Sequence, residues 1–245
     1  MIAGLLMVKD DADVVGATLA HTLDQGVDRV LISLGDSSDD TAGVIYAVMD
    51  EFGHDRVTIY ENHDELNRQV FWMNFLLNEA QAQGADWLCP FDADEWVYAT
   101  DGSTIAQALA DVPEDVPKLF LRHWQHFSWD RRNLDMNRWR KVVFRATPGA
   151  VLEVGNHNVS INGGTEGVLD LREFCYRSFE HFKAKAAARN ANIPPEVDGW
   201  HHRRLVGLNE QEMAHEWQKL ISVPTIADPI PSKYQPGYGR SGQAP

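Results

Sequence analysis

Between Ile2 and Phe91 the chain alternates short apolar, β-rich runs with stretches of helical spacing, and this alternation constrains the fold more than any other feature. The runs are Ile2 to Val8, Arg29 to Leu34, Val57 to Tyr60 and Trp87 to Phe91. Between them lie three apolar stripes: Val15, Leu19 and Leu23; Val44, Ile45, Val48, Met49 and Phe52; and Leu66, Val70, Met73, Leu77 and Ala80. Their spacing is that of one face of a helix. Connections this short suit right-handed parallel crossovers, so a mostly parallel sheet flanked by helices is expected. The first run is apolar throughout, which places it centrally.

Each run ends in polar residues: Lys9-Asp10-Asp11, Asp36 to Asp40, Asn62 to Asp64, and Asp92, Asp94 and Glu95. A buried strand cannot carry unpaired carboxylates along its interior, so these groups emerge where the strands leave the sheet. In a parallel sheet those ends share one edge, the edge where open α/β folds bind ligands. The last group, in WLCPFDADEW, is the most pointed. Aspartates at i and i+2 can bind a hard divalent cation through oxygen, and such an ion holds a diphosphate. The first, second and fourth groups can converge, and their carboxylates would accept from ribose hydroxyls and a base N–H while the metal takes the phosphates. The competing reading of each group is a solvated loop or a helix cap, strongest for Ser37 and Ser38. Pro90 weakens a ladder and is expected where the strand already splays into the acidic loop.

Beyond residue 100 the rhythm changes. A short helix is expected over Thr104 to Leu109, capped at Ser103, with strands at Lys118 to Arg122, Lys141 to Arg145 and Ala150 to Val154. WDRRNLDMNRWRK reads as a mobile polar segment. A helix is expected over Glu173 to Asn190, and Asn209 with Glu212 forms a capping box before a last helix ending at Ile221. This describes a single domain, residues 1–223, with a nucleotide half (1–100) and a mixed α+β acceptor half (101–223). A Pro/Gly-rich, flexible tail follows (224–245). With 22 basic against 36 acidic residues the formal charge is −14, which argues against a nucleic-acid binder or attachment to an anionic membrane by charge. Two cysteines, no apolar run of membrane-spanning length and no basic leader before MIAGLLMV give a cytoplasmic reading.

The stretch MVKDDADVVGATLAHTLDQGVDRVLISLGDSSDDT resembles the opening of family 2-type glycosyltransferases with a GT-A fold. WLCPFDADEW is similar to their metal-binding D-x-D segment, in the D-x-D-E-aromatic form of one bacterial subgroup, and YRSFEHFKAK resembles a later segment of that subgroup. The resemblance implies a UDP-, GDP- or dTDP-sugar donor, a divalent cation such as Mn²⁺ or Mg²⁺, and usually inversion. Lys9, Asp10 and the Asp36 to Asp39 loop would then hold the nucleoside, and Asp92 and Asp94 the ribose and metal. Three positions depart from the pattern. Asp10 and Asp11 stand where Asn or Glu is common, Gly35 precedes Asp36, and Glu173 replaces a histidine three residues before Tyr176.

Inverting transfer needs a carboxylate to deprotonate the acceptor and positive charge on the departing diphosphate. Glu180 is the favoured base, with Glu153, Asp170 and Glu173 as candidates. His157 is the expected imidazole ligand of the metal, its rival role a hydrogen-bonded loop histidine. His201, Arg203 and Arg204 form a basic cluster suited to closing over the diphosphate, and Arg68 is a further donor contact. Among Trp124, Trp129, Trp139 and Trp200, one or two should line the acceptor site, whereas Trp72 and Trp87 belong to the core. The acceptor is read as a glycan or glycoconjugate. Alternatives are a phosphohydrolase of the haloacid-dehalogenase type, whose D-x-D follows the first strand, and a non-catalytic sugar- or metal-binding module.

Overall fold

The computed structural model describes residues 1–64, 68–192, 205, 207–231 and 234. Four strands, β1 (Ile2–Val8), β2 (Arg29–Gly35), β3 (Val57–Asn62) and β4 (Trp87–Phe91), pair in parallel in the order β4-β1-β2-β3. β1 is hydrogen-bonded on both sides, as its unbroken apolar run requires. Alternate residues serve opposite faces. Leu6, Val8, Val30 and Ile32 pack with apolar side chains of α1 (Val15–Asp24) and α2 (Thr41–Phe52); Ala3, Leu5, Leu31 and Leu88 pack with α3 (Gln69–Ala82). The stripe expected on α3 is buried from Met73 onward. Val70, in the helix's first turn, is exposed, and Leu66 lies outside the described residues.

The second half is richer in strand than its sequence suggests. β4 turns through Asp92 to Asp94 directly into β5 (Glu95–Ala99), which α4 (Ile105–Ala110) follows. β6 (Lys118–Ser128), β7 (Arg131–Asn133) and β8 (Asn137–Arg145) pair antiparallel, and β8 docks antiparallel on the outer edge of β4. β9 (Thr165–Glu173) lies between β5, antiparallel, and β6, parallel. The polar segment expected to be mobile instead forms β7 and the start of β8, which pair with β6 from opposite sides. β8 pairs with β4 only at Trp87 and Leu88, so Pro90, opposite Leu5 of β1, has no rung to lose on that outer side.

Several boundaries move for local reasons. The cap of α4 is Thr104, in a capping box with Gln107, because the Ser103 hydroxyl is held by Asp101. Ala150 to Val154 makes a single bridge, Leu152 to Val159, since Gly155 and Asn156 take positive φ (71° and 57°) and end any extended run. Glu173 closes a strand rather than opening a helix. Leu169 and Leu171 face the core while Asp170 and Arg172 alternate with them, and α5 (Phe179–Asn192) starts six residues later. α6 (Glu210–Ile221) begins with the expected Asn209–Glu212 capping box. Part of the stretch expected to form a tail is docked. β10 (Thr225–Ala227) pairs with β7, and Ile230 and Tyr234 are buried beside Trp96, where the Tyr234 hydroxyl donates to Asp24. Two apolar anchors achieve this in a sequence otherwise rich in proline and glycine.

Candidate functional site

The ends of β1 and β2 are tied to each other by their own polar residues. The Ser38 amide and hydroxyl donate to Asp10 Oδ1 (2.6 and 3.0 Å), and the Asp10 amide donates to Ser37 Oγ (3.1 Å). The amide of Ala12 donates to Asp39 Oδ2 and that of Asp11 to Thr41 Oγ1, each at 3.0 Å. Asp10 sits at φ 56°, a conformation that Asp tolerates better than most side chains. The Lys9 stem lies over Gly35, where an added Cβ would meet it at 3.1 Å. These bonds hold open a cavity of about 540 Å³ lined by Asp10, Asp13, Asp39, Asp40 and, from α5, His181. Asp36 lies outside this lining, exposed and paired with His63 (2.8 Å).

Beside the cavity, the Asp92 to Glu95 turn separates two charge clusters. The first is organised by sheet register. β5 and β9 place Glu95 directly opposite Glu173, and β6 brings His123 alongside through its partner Leu171. The Lys141 ammonium, almost fully buried, bonds Asp92 Oδ2 (2.8 Å) and Glu95 Oε1 (2.9 Å). Glu95 Oε2 accepts the Asp92 amide at 3.0 Å. Burial and the neighbouring Asp92 push the Glu95 carboxyl up to about 7, whereas for Lys141 these same two carboxylates outweigh burial and raise its pKa. His123 Nδ1 meets the Trp139 carbonyl at 3.1 Å and Nε2 meets Glu173 Oε2 at 2.9 Å. Both partners accept, so both ring nitrogens donate and the ring is an imidazolium. Burial opposes that charge, but the bond to Glu173 and its field prevail and raise the histidine pKa.

The second cluster is built by Arg177. Its guanidinium forks onto Asp13 (2.6 and 2.7 Å), donates to Asp11 (3.2 Å) and lies 3.8 Å from Asp94 Oδ2. Lys185 donates to the same Asp94 oxygen at 2.5 Å. Burial and the adjacent Asp94 push Asp11 up to about 7. Arg177 also donates to His181 Nε2 (2.9 Å); burial first and this cation second hold the imidazole down to about 4, so it is neutral at pH 7. Its proton therefore resides on Nδ1, a buried atom with no protein partner among the described residues.

The D-x-D aspartates thus do not face each other across open space: each is engaged by its own cation. The residues that fit a divalent ion best, among those described, are Glu95, His123 and Glu173, whose ligand atoms lie within 4.8 Å of one another. Two carboxylate oxygens and an imidazole nitrogen are a donor set suited to Mn²⁺ or Zn²⁺. His157, expected as the imidazole ligand, donates through Nδ1 to the Arg140 carbonyl (2.7 Å) and stacks on Trp139; it feels Asp92 electrostatically but belongs to neither cluster.

The other expected residues are distributed unevenly. Of the candidate bases, Glu173 adjoins the turn. Asp170 is held bidentate by Arg122 (2.7 and 2.8 Å), Glu153 is exposed beside Asn158, and the Glu180 side chain is 77% exposed and paired with Lys183. Arg68 is exposed, immediately before α3, whose Gln69 accepts the Gly155 amide. His201, Arg203, Arg204 and Trp200 lie outside the described residues. Trp129 packs on Phe174, Trp124 carries Arg132 over its face, and Trp139 is 52% exposed. Trp87 is buried; Trp72, half-buried, bonds Asp64. Sequence reasoning missed His123, Lys141 and Asp13. Arg177 and Lys185 lie within YRSFEHFKAK, and that segment was the one signal available.

No protein-family model and no curated protein matches the chain. Solved structures do. A mannosyltransferase from Pyrobaculum calidifontis, in complex with GDP-Man and Mn²⁺, aligns over 90% of this chain and 79% of its own at 11% identity, with a TM-score of 0.51. A 4-diphosphocytidyl-2C-methyl-D-erythritol synthase from Anaerococcus prevotii aligns over 83% of each chain at 10% identity and TM-score 0.36. Glucosyl-3-phosphoglycerate synthase from Mycobacterium tuberculosis, with Mn²⁺, UDP and phosphoglyceric acid, aligns over 51% of this chain and 43% of its own at 11% identity and TM-score 0.33. The first of these likenesses establishes the fold: a GT-A-like, Rossmann-like α/β sheet flanked by helices.

Proposed function

We propose that this chain is a glycosyltransferase that moves a sugar from a nucleotide-sugar donor of the UDP, GDP or dTDP type to a glycan or glycoconjugate acceptor, assisted by Mn²⁺ or Mg²⁺. One observation carries the reading. At the carboxyl edge of β1, β2 and β4, a carboxylate-walled cavity adjoins Arg177 and Lys185, which Asp13 and Asp94 hold in place. Asp40 faces a nucleoside with an acceptor, while Asp10 and Asp39 keep the loops in shape. A sugar leaving its diphosphate builds negative charge on the phosphate oxygens, and preorganised cations stabilise it without reorganising. A divalent cation, when bound, neutralises that same leaving group. GDP-Man and Mn²⁺ in the Pyrobaculum mannosyltransferase supply the analogy.

A phosphohydrolase of the haloacid-dehalogenase type would instead need its first aspartate as a nucleophile. Here Asp92 follows β4 rather than β1, and its Oδ2 is bonded by Lys141, which supports the transferase reading over that alternative. The test is a thermal-shift screen of UDP, GDP, CMP and dTDP with and without Mn²⁺. Stabilisation by one nucleotide, reduced in Arg177→Met, is expected. Stabilisation by none of them removes the nucleotide site.

A further inference from the structure

We infer that the divalent cation binds between Glu95, His123 and Glu173, on the core face of the β5–β9–β6 ladder, and not between the two aspartates of the D-x-D. The inference rests on the transferase reading for the cation's purpose; its position follows from register and donor chemistry.

Glu95 and Glu173 are direct partners across an antiparallel ladder, so their side chains leave the same face. Like charges so placed repel, and a cation on that face relieves them. β6 runs parallel to β9 on its other side and sets His123 opposite Leu171, two residues before Glu173 and therefore on that face too. The ring is oriented from outside the cluster. Nδ1–H is held by the backbone carbonyl of Trp139, which aims Nε2 at the carboxylates. This is the outer bond that metal-ligating histidines make almost without exception.

Distances agree. A first-row ion binds nitrogen and oxygen at about 2.0–2.2 Å, which sets its ligand atoms about 3–3.5 Å apart. Nε2 and Glu173 Oε2 already lie 2.9 Å apart, and all three ligand atoms lie within 4.8 Å, a gap that carboxylate rotation closes. Binding exchanges the Nε2 proton, which leaves to solvent, for the cation. Asp92, Glu95 and Glu173 then balance Lys141 and a divalent ion: three negative charges against three positive. Lys141 can stay in place, since each carboxylate oxygen has two lone pairs.

The Asp94 side of the turn is different in kind. Its carboxylate is already met by Lys185 at 2.5 Å and approached by Arg177, both permanently charged. An incoming ion there has two fixed cations to displace, and the imidazole beside them, His181, already spends its Nε2 lone pair on Arg177. The imidazole at the proposed site also predicts selectivity: Mn²⁺ and Co²⁺ should bind in preference to Mg²⁺, which favours all-oxygen sites and keeps its waters.

The experiment is titration of the full chain with Mn²⁺, Co²⁺ and Mg²⁺ by calorimetry, with Co²⁺ absorption as the signature of nitrogen ligation. Wild type should take up one Mn²⁺ or Co²⁺ per chain and bind Mg²⁺ more weakly. Glu173→Gln, nearly isosteric and at the edge of the cluster, should lose at least about tenfold in affinity. His123→Gln should do the same and abolish the nitrogen-dependent spectrum, with far-UV circular dichroism confirming that each variant is folded. Asp94→Asn should leave cation affinity within about threefold of wild type. Loss of binding in Asp94→Asn with retention in Glu173→Gln places the ion in the D-x-D and overturns the inference; so does a wild type that binds no cation. Cation binding without any nucleotide-dependent thermal shift would instead remove the transferase reading and leave this site standing.

Discussion

The clusters on either side of the Asp92 to Glu95 turn have the same composition of charge and opposite characters. Each sets three carboxylates against two cations, and in each burial pushes one carboxyl up to about 7, Glu95 in one and Asp11 in the other. Around Asp94 both cations are fixed charges, Arg177 and Lys185, and the guanidinium forks onto Asp13. Around Glu95 only Lys141 is fixed. The other cation is His123, whose second charge-bearing proton can be exchanged. A cluster closed by arginine and lysine is suited to meeting an anion from outside. One completed by histidine is suited to taking up a cation. Under the proposed function, the difference separates two jobs that the D-x-D motif alone would merge: holding a diphosphate and holding a metal.

Substitutions can break or sharpen this contrast. The largest effect is expected from Lys141→Met, which leaves Asp92 and Glu95 without their fixed cation in a buried site. Removing one partner of a buried ion pair costs about 3–5 kcal/mol. Urea unfolding should show that loss, and added Mn²⁺ should recover part of it. Arg177→Met should cost less, about 1.5–3 kcal/mol, because Lys185 stays on Asp94 and Asp11 can keep its proton. If Arg177→Met proves the more damaging of the two, the contrast is wrong.

Protonation sharpens it further. Asp11 titrates near 7 in the folded chain against an ordinary 3.8. An acid whose folded pKa is raised makes the native state progressively less stable as pH climbs from about 4 to 7. Asp11→Asn removes that slope, so the variant's stability relative to wild type should increase across this window and level off above it, read from urea midpoints at pH 4, 6 and 8.

A reference lies on the opposite face of β9. Asp228 accepts from His126 (3.0 Å) and Arg172 (2.6 and 3.0 Å); burial alone would raise its carboxyl, but these bonds hold it far below the usual range. Its contribution is complete above the ordinary carboxylate pKa and fades only as pH falls toward the depressed folded value. Asp228→Asn should loosen the docked segment by about 1–2 kcal/mol, seen as faster proteolysis near residue 228 and altered fluorescence of Trp96 and Trp129. Cation affinity should not change, which separates tail docking from the Glu95 cluster. The smallest effect is expected from Glu180→Gln, since that side chain is exposed and its ion pair, among the described residues, is with Lys183. Its unfolding midpoint should match wild type, and a collapse of sugar transfer in this variant would support Glu180 as the acceptor base.

The first hundred residues were legible because their contacts are local in pattern. Leu19 and Leu23 on α1, Val44 and Val48 on α2, and the runs of β1 to β4 declare periodicity within a dozen residues, and short crossovers leave few topologies. β9 was not read from the sequence, although Leu169 and Leu171 alternate there with Asp170 and Arg172. The sequence does not say which strand faces it. Glu95 and Glu173 are neighbours across a ladder that spans almost eighty residues of chain, and a one-residue slip in register would put either carboxylate on the other face. His123 gave no signal: an isolated histidine in a strand has no meaning until its cross-strand partners are known.

What the sequence by itself determined is the parallel core, the edge at which its polar groups emerge, and the presence of a dense acidic turn after β4. Those follow from hydrophobic periodicity and from the cost of burying unpaired charge, both readable one segment at a time. Only the tertiary structure decided which cation each carboxylate meets. It gave Asp94 to Lys185 and Arg177, bound Lys141 between Asp92 and Glu95, and set His123 beside Glu173. Coulomb interactions and ligand geometry depend on separations of a few ångströms between residues far apart in the chain, and strand register sets those separations.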